Sequence, residues 1–424
     1  MTARGGRLGA LGEPQFRLLL IGQAASAFGD ALIPVAIAFA VLSIGGSAIE
    51  LGYVFAAFTA SHLVLVLAGG VWADRLPRQL VMVGCDVVRT VAEVVLAVLL
   101  LTGTAEVWHL VLVVTVVGGA GAFFVPASSG LVPQVISPGR LQEANALMGL
   151  SRNATGIFGP PIAGLLVVGF GTGIVFLVDA ATFAVSAVSL LMLRVPARGA
   201  PLAEHRRFLA DLAEGWREVT SRPWLLAAIS TFAVTNMASA PIFILGPVVA
   251  DTRLGGAAAW GFILTGGAIG GLVGSVLALR IRPRRPLMVG FAISIAQALP
   301  LLAFAVPLPV VLIAIALFVS LTSIQLANTW WFTLLQQHIP ERARSRVSSY
   351  DWLVSLVFQP AGYMLAGPLS SLAGLTTTLL GAAGLSIVAN LRAATLRSVR
   401  GVRWVEASAP DAAPDDSEAP YSRW

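Results

Sequence analysis

Long apolar runs alternate with short polar turns along almost the whole chain. Twelve such runs can be drawn, at about 17–43, 49–72, 80–102, 107–132, 143–168, 172–193, 224–250, 257–280, 286–305, 308–335, 346–371 and 374–396. Each meets the ~20 residues that a helix needs to cross ~30 Å of hydrocarbon. In lipid the backbone must satisfy its hydrogen bonds within each segment, so the pattern predicts an all-α integral membrane protein of twelve transmembrane helices. The connections GGSAIE, TGTAEVW, GFGTG and DTRLGG are too short to hold a domain on that side. The longest internal polar stretch, 194–223, separates two six-helix halves, 17–193 and 224–396. Within it FLADLAEGWREV sets Phe208, Leu212 and Trp216 on one helical face between Arg206, Arg207, Arg217 and Arg222, which predicts an amphipathic helix along the inner membrane surface. Residues 1–16 form a polar N-terminus, and the tail 397–424, rich in Ala, Pro, Asp and Ser from Gly401, is expected to be disordered.

Composition agrees with this pattern. Of 424 residues, 57% are hydrophobic and 11% charged, with a mean hydropathy of +0.85, which is more apolar surface than one soluble core can hide. The 43 Gly and 24 Pro suit packed membrane helices, where small residues allow close approach and neighbours re-satisfy broken backbone bonds. The single cysteine, Cys85, excludes an intramolecular disulfide and a cysteine metal cluster, and reads as a small apolar residue within a span. No metal or cofactor is expected.

All 27 basic residues are Arg, and of these only Arg253 falls in a loop assigned to the outside. The rest gather in the termini, the inner loops and the adjoining first helical turns, so the net charge of +6 reports orientation rather than a nucleic-acid partner. Both termini are therefore placed in the cytoplasm. The N-terminal stretch lacks the apolar core and cleavage site of a signal peptide, and the first span is expected to be retained.

The two halves echo each other, as in duplicated transporters. SSGLVPQVISPGR before span five resembles FTLLQQHIPERAR before span eleven, matching Gln134 and Ile136 to Gln337 and Ile339, and Phe158 and Pro160 match Phe358 and Pro360. LPRQ after span two recurs as RPRR at 282–285 after span eight.

Between spans two and three the chain reads Gly69 to Arg78, GGVWADRLPR. Gly69 and Gly70 permit close helix approach, Asp74 sets an anion at the membrane surface, and Arg75 and Arg78 hold the turn in the cytoplasm. This stretch resembles the loop between the second and third spans of the major facilitator superfamily of secondary transporters, departing from it at Pro77 and Gln79. Span five, GLSRNATGIFGPPIAG from Gly149, resembles the superfamily's antiporter pattern at Gly149, Gly156, Gly159, Pro160 and Gly164, with one residue fewer between Gly156 and Gly159 and with Ala163 in place of Gly. A Gly-Pro step with small neighbours can bend a helix and seal one face of a cavity. A Gly-rich span without directional meaning is the alternative. Together with FRLLLIGQAASAFGD and FLVDAATFAVSAVSL, these motifs look like the bacterial branch that includes macrolide exporters and the enterobactin exporter. The resemblance covers roughly residues 15–400 and implies efflux driven by the proton gradient, from the inner membrane, by a monomer.

Charged side chains within spans are costly unless they face a cavity or a partner. Asp30 lies ~20 Å into span one, near the midplane, and leads as the proton-coupling acid, with a structural salt bridge as the alternative. Asp86, Arg89 and Glu93 share ~60° of arc on span three. Asp86 and Arg89 are expected to brace the Asp74 turn, leaving Glu93 as a second proton candidate. His62, in span two, suits proton coupling by its ordinary titration range, against the alternative of a packed hydrogen-bonding residue. Arg152 in span five needs an acidic or carbonyl partner, while Asp179 and Asp351 read as structural. In the superfamily fold, spans one, four, seven and ten would face the cargo. They contribute Gln23, Phe123, Phe124, Phe232, Asn236, Phe243, Gln325, Asn328, Trp330 and Trp331, an aromatic and amide surface suited to a large, partly apolar molecule. With no Lys there is no Walker motif, and no nucleophile elbow or His cluster suggests an enzyme. Three readings stay open: export of drug-like molecules, export of one siderophore or metabolite, and lipid movement.

Overall fold

The computed structural model describes residues 9–195, 216–306 and 308–405, with the side chains at 67–75, 341, 342, 345, 346 and 349 outside that description. The first half comprises α1 (Pro14–Ser43), α2 (Ala48–Arg75), α3 (Arg78–Leu101), α4 (Val107–Val135), α5 (Leu141–Phe170) and α6 (Thr172–Leu191). The second comprises α7 (Pro223–Ser239), α8 (Pro241–Val249), α9 (Ala257–Ala278), α10 (Pro286–Ser294), α11 (Ala298–Ala305), α12 (Val310–His338), α13 (Glu341–Val357), α14 (Gln359–Ala373) and α15 (Leu375–Thr395), closed by the short α16 (Arg397–Arg400).

Every predicted apolar run coincides with a helix or a pair of end-to-end helices. Among the described residues ten stretches are long and apolar enough to cross a membrane. The two that fall short do so for visible reasons. The α3 stretch carries Asp86, Arg89 and Glu93, and the α13–α14 stretch breaks at Phe358. The GGVWADRLPR segment is less of a loop than its polarity suggests, because α2 continues as helix to Arg75 and only Leu76 and Pro77 separate it from α3. Nor does Pro160–Pro161 interrupt α5, which stays helical across both residues.

The turns at the two ends of the bundle differ in kind. At the end remote from the chain termini, α5 joins α6 through Gly171 alone, and α14 joins α15 through Gly374 alone. Their φ angles of 80° and 85° are open to glycine and strained for other residues. The two turns occupy equivalent places in the two halves, in keeping with the sequence echo. At the opposite end proline opens the helices, as at Pro77, Pro340 and Pro286.

The halves meet along two seams, α5 against α9 and α2 against α14. Both seams are made by glycines pressed on facing backbone. A Cβ on Gly164 would lie 2.6 Å from the Ala257 carbonyl oxygen, one on Gly52 would lie 2.5 Å from that of Tyr363, and one on Gly367 would lie 2.6 Å from Ile49 Cα. Gly261 is pressed in the same way on the Pro160 carbonyl. All four contacts lie toward the glycine-turn end. There the apolar core is one cluster drawing on both halves, from Leu32 and Ala163 to Trp260 and Leu379. Toward the termini it divides into separate clusters, one around Phe16 and Leu131, one around Leu225 and Leu334, and a small third around Leu326 and Trp330. The molecule is thus closed at one end and divided at the other.

The predicted central amphipathic helix falls mostly on 196–215, outside the described residues, as does the tail beyond Val405. The first part of that tail is ordered, contrary to expectation. Val399 and Val402 join the core, Trp404 Nε1 donates to the Pro283 carbonyl at 2.8 Å, and the Val405 amide donates to Gln337 Oε1 at 3.2 Å. Apolar anchors at 399, 402 and 404 dock it, although the whole tail's composition is polar.

If the glycine seams hold the closed end together, Gly164→Val should push the halves apart there. Spin labels at Thr104 and Leu372, in a Cys85→Ser background, should then show longer distances than without the valine. An unchanged distance distribution would show that the seam does not control closure.

Candidate functional site

Each half carries its own lined hollow. On the first-half side, α1, α3, α4 and α5 enclose a cavity of about 480 Å³ lined by Gln23, Asp30, Arg89, Phe124, Ser128 and Arg152 among others. Gln23 and Asp30 are two helical turns apart on α1, which brings both to the same face. Ser128 Oγ donates to Gln23 Oε1 at 3.1 Å and ties α4 to α1, while Gln23 Nε2 is buried without a partner among the described residues. Asp30 is open to the cavity. Arg152 is exposed there as well and forms no ion pair among the described residues.

On the second-half side a pocket of about 240 Å³ is lined by Phe232, Asn236, Asn328, Trp331, Asp351 and Ser355 among others. It is held by buried polar bonds. Trp331 Nε1 donates to Asp351 Oδ2 at 2.8 Å, Ser355 Oγ to Asp351 Oδ1 at 3.3 Å, and Asn236 Nδ2 to the Ser355 carbonyl at 2.9 Å. The Trp331 indole meets Phe232 edge-on at 5.1 Å, an arrangement that fixes the ring at the wall. Of the predicted cargo residues, Gln23, Phe124, Phe232, Asn236, Asn328 and Trp331 reach these walls. Gln325 does not. It packs against Gly274 between α12 and α9, its Cβ 3.0 Å from where a Cβ on that glycine would stand. Phe123 faces a separate apolar groove, Phe243 packs on the core, and Trp330 is buried with Nε1 donating to the Ile281 carbonyl at 3.0 Å.

Behind the first wall lies a cluster of four of the buried charges among the described residues. Asp86, Arg89 and Glu93 on α3 and Asp179 on α6 have relative exposures of 0%, 5%, 1% and 0%. The Arg89 guanidinium sits between the Phe124 and Phe183 rings, at 5.1 and 5.0 Å from their centroids, and these cation–π contacts hold it where α3, α4 and α6 converge. From there it faces Asp30, Asp86, Glu93 and Asp179 electrostatically. Its Nη2 and the His62 ring both flank Gly121, and His62 Nδ1 stands 3.2 Å from the Gly118 carbonyl. Among the described residues no three His, Cys, Asp or Glu side chains are arranged to hold a metal ion.

The motif residues divide in the same way. The Gly70, Asp74 and Arg75 side chains lie outside the described ones. Arg78 donates to the Gly130 carbonyl at 2.7 Å, joining the start of α3 to the end of α4. Gln79, where the family pattern has a basic residue, donates from Nε2 to the Leu190 and Leu193 carbonyls at 2.6 and 3.0 Å. It thereby satisfies free carbonyls at the C-terminus of α6, a task that needs an amide and no charge. In span five, Gly159 packs on Ala31, Pro160 on Gly261 and Gly164 on Ala257, whereas Gly149 and Gly156 face open space. Sequence reasoning missed the places of Asp179 and Asp351, whose same-helix partners Thr182 and Ser355 are uncharged and whose other partners come from different helices.

Several known proteins are similar to this chain. Multidrug efflux pump Tap of Mycolicibacterium fortuitum is 29% identical over 383 residues, covering 86% of this chain and 91% of that protein. Macrolide efflux protein A of Streptococcus pyogenes is 22% identical over 236 residues, covering 55% and 58%. The crystal structure of a bacterial homolog of the human lysosomal transporter Spinster, inward-facing and unoccupied, superposes with a TM-score of 0.70 at 16% identity, covering 92% of this chain and 98% of that one. That of the nucleoside transporter NupG gives 0.69 at 15%, covering 90% and 98%. At those identities the structural likeness speaks for the fold. The family model of the Major Facilitator Superfamily matches residues 19–351, and the chain, a multi-pass membrane transporter, belongs to that superfamily.

Proposed function

We propose that this protein exports drug-like or natural-product molecules from the cytoplasm across a bacterial plasma membrane, by proton antiport and alternating access. The observation that carries the reading is the pair of lined hollows, an acid and an arginine in one and aromatic rings with amides in the other, in halves that meet only at one end. A large cargo with apolar and polar faces fits such a surface. The relatives named for multidrug and macrolide efflux, which align over 86% and 55% of this chain, support drug export as its activity. The concentration of Arg at the terminal end supports cytoplasmic termini, so the divided end opens inward. Asp30, open to the cavity yet deep in the bundle, is the acid through which protons and cargo compete, because taking up a proton removes a charge and shifts which cavity arrangement is favoured.

Arg152 favours a second reading. A guanidinium in the cavity with no ion pair among the described residues can receive an anionic group, as an exporter of one anionic siderophore or metabolite would need. Arg152→Gln separates the two, since it should spare macrolide export under the first reading and abolish export of the anionic cargo under the second.

Orientation is tested by a cysteine placed at Gly255 in the Cys85→Ser protein. A membrane-impermeant maleimide added to intact cells should label it, and labelling only after lysis would invert the topology. For coupling, purified protein in liposomes should accumulate a macrolide against its gradient when a pH gradient is imposed. Asp30→Asn should lose this uphill accumulation while still exchanging labelled for unlabelled macrolide. Uphill accumulation by Asp30→Asn would remove Asp30 from the coupling role.

A further inference from the structure

Glu93 on α3 and Asp179 on α6 stand with their carboxyl groups within hydrogen-bonding reach of each other. They lie on the seam along which the two helices pack, behind the cavity wall, and at 1% and 0% exposure neither is reached by water in this conformation. Glu93 Oε2 and Asp179 Oδ2 have no hydrogen-bond donor among the described residues. The other Asp179 oxygen accepts from Thr182 Oγ1 at 3.2 Å and lies against the Gly29 backbone of α1, beside Asp30.

The charged neighbours are few. Asp30 faces the pair from α1 and Arg89 faces it from α3 itself, while Asp86, also on α3, faces Arg89 and Asp30 rather than the pair. Thr182 on α6 is a donor without charge, and α4 presents only the Phe124 ring against Arg89. His62 on α2 stands on the far side of Arg89, by Gly121, and Arg152 on α5 belongs to the cavity wall. One guanidinium therefore serves three fully buried acids. Its Nε is itself buried and without a hydrogen-bond partner, so Arg89 enters the group as a charge held in place by its two aromatic rings.

We propose that Glu93 and Asp179 share a proton in this closed-at-one-end conformation and form the proton site of the transport cycle, with Asp30 as its opening to the cavity. The proposal rests on the proton-coupled reading above and moves the bound proton from the cavity wall to the α3–α6 seam. Two carboxylates at hydrogen-bonding distance in a dry seam repel strongly and cannot both be ionised. With a proton between them the repulsion becomes a charge-assisted hydrogen bond that clasps α3 to α6, and the pair titrates as a unit. Losing the proton restores the repulsion. Because α6 also packs along α1 and Asp179 abuts Gly29, opening this seam displaces the segment that carries Asp30. The proton is thus read by helix packing as well as by charge in the cavity.

Infrared spectroscopy of the purified protein in lipid, without cargo, tests the shared proton directly. The wild type at neutral pH should show the carbonyl stretch of a protonated, hydrogen-bonded carboxyl group, and Glu93→Gln and Asp179→Asn, each made in an Asp86→Asn background that removes the third buried carboxyl, should each abolish it, because the remaining acid then ionises against Arg89. Absence of the band from the wild type, or its survival in either variant, overturns the proposal. In liposomes both variants should lose macrolide accumulation driven by a pH gradient and keep macrolide exchange, and uphill accumulation by either removes the pair from coupling. If the wild type moves no macrolide, the cargo reading fails, while the infrared result still decides whether the proton is shared.

Discussion

Close backbone approach at glycine is the contact on which the rest of this molecule depends. In lipid, exclusion of water gives no advantage to one apolar helix packing on another, so the halves must be held by dispersion contacts at short range, and side chains at the seam would prevent them. Gly52, Gly164, Gly261 and Gly367 place backbone directly on facing backbone at one end of the bundle. Continuous core packing follows there, with Trp260 fully buried, its ring centroid 6.0 Å from that of Phe304. At the other end the core divides, and each half there carries its own lined hollow. Which end is closed sets which side of the membrane the cavity walls face.

A second constraint is electrostatic. Burying Arg89 among aromatic rings places one fixed positive charge where four acids from three helices converge. One cation cannot offset them all, and an ionised carboxylate without a partner costs several kcal/mol in such surroundings. Hydration through the cavity relieves Asp30. The acids behind the wall are buried at 0–1% exposure and have no such access, which is why we propose that their protonation is read by helix packing.

The two halves use their shared plan asymmetrically. Both keep the single-glycine turn, at Gly171 and Gly374, and both contribute one glycine-lined seam partner to each interface. Among the described residues the buried charges gather in the first half, at Asp86, Arg89, Glu93 and Asp179, whereas the second-half wall is built from Trp331, Asn236 and Asp351 locked together by hydrogen bonds.

The apolar runs by themselves determined the helices and their two-half division, because crossing hydrocarbon demands a length and a composition that can be read directly. The arc shared by Asp86, Arg89 and Glu93 was also legible, since helical periodicity puts them on one face whatever that face meets. What the face meets was not legible. Arg89 turns between Phe124 and Phe183, and Glu93 finds Asp179 across the α3–α6 seam, because those partners come from other helices whose rotation only packing fixes. The same reason separates Gln325, lost in a helix seam, from Asn328, three residues on and at the pocket wall. It also explains span five, where Gly159 and Gly164 are pressed on neighbours and Gly149 and Gly156 are open, although all four read alike in the sequence. Local periodicity decided which residues share a side of a helix, and tertiary structure decided which side is lipid, which is seam and which is cavity.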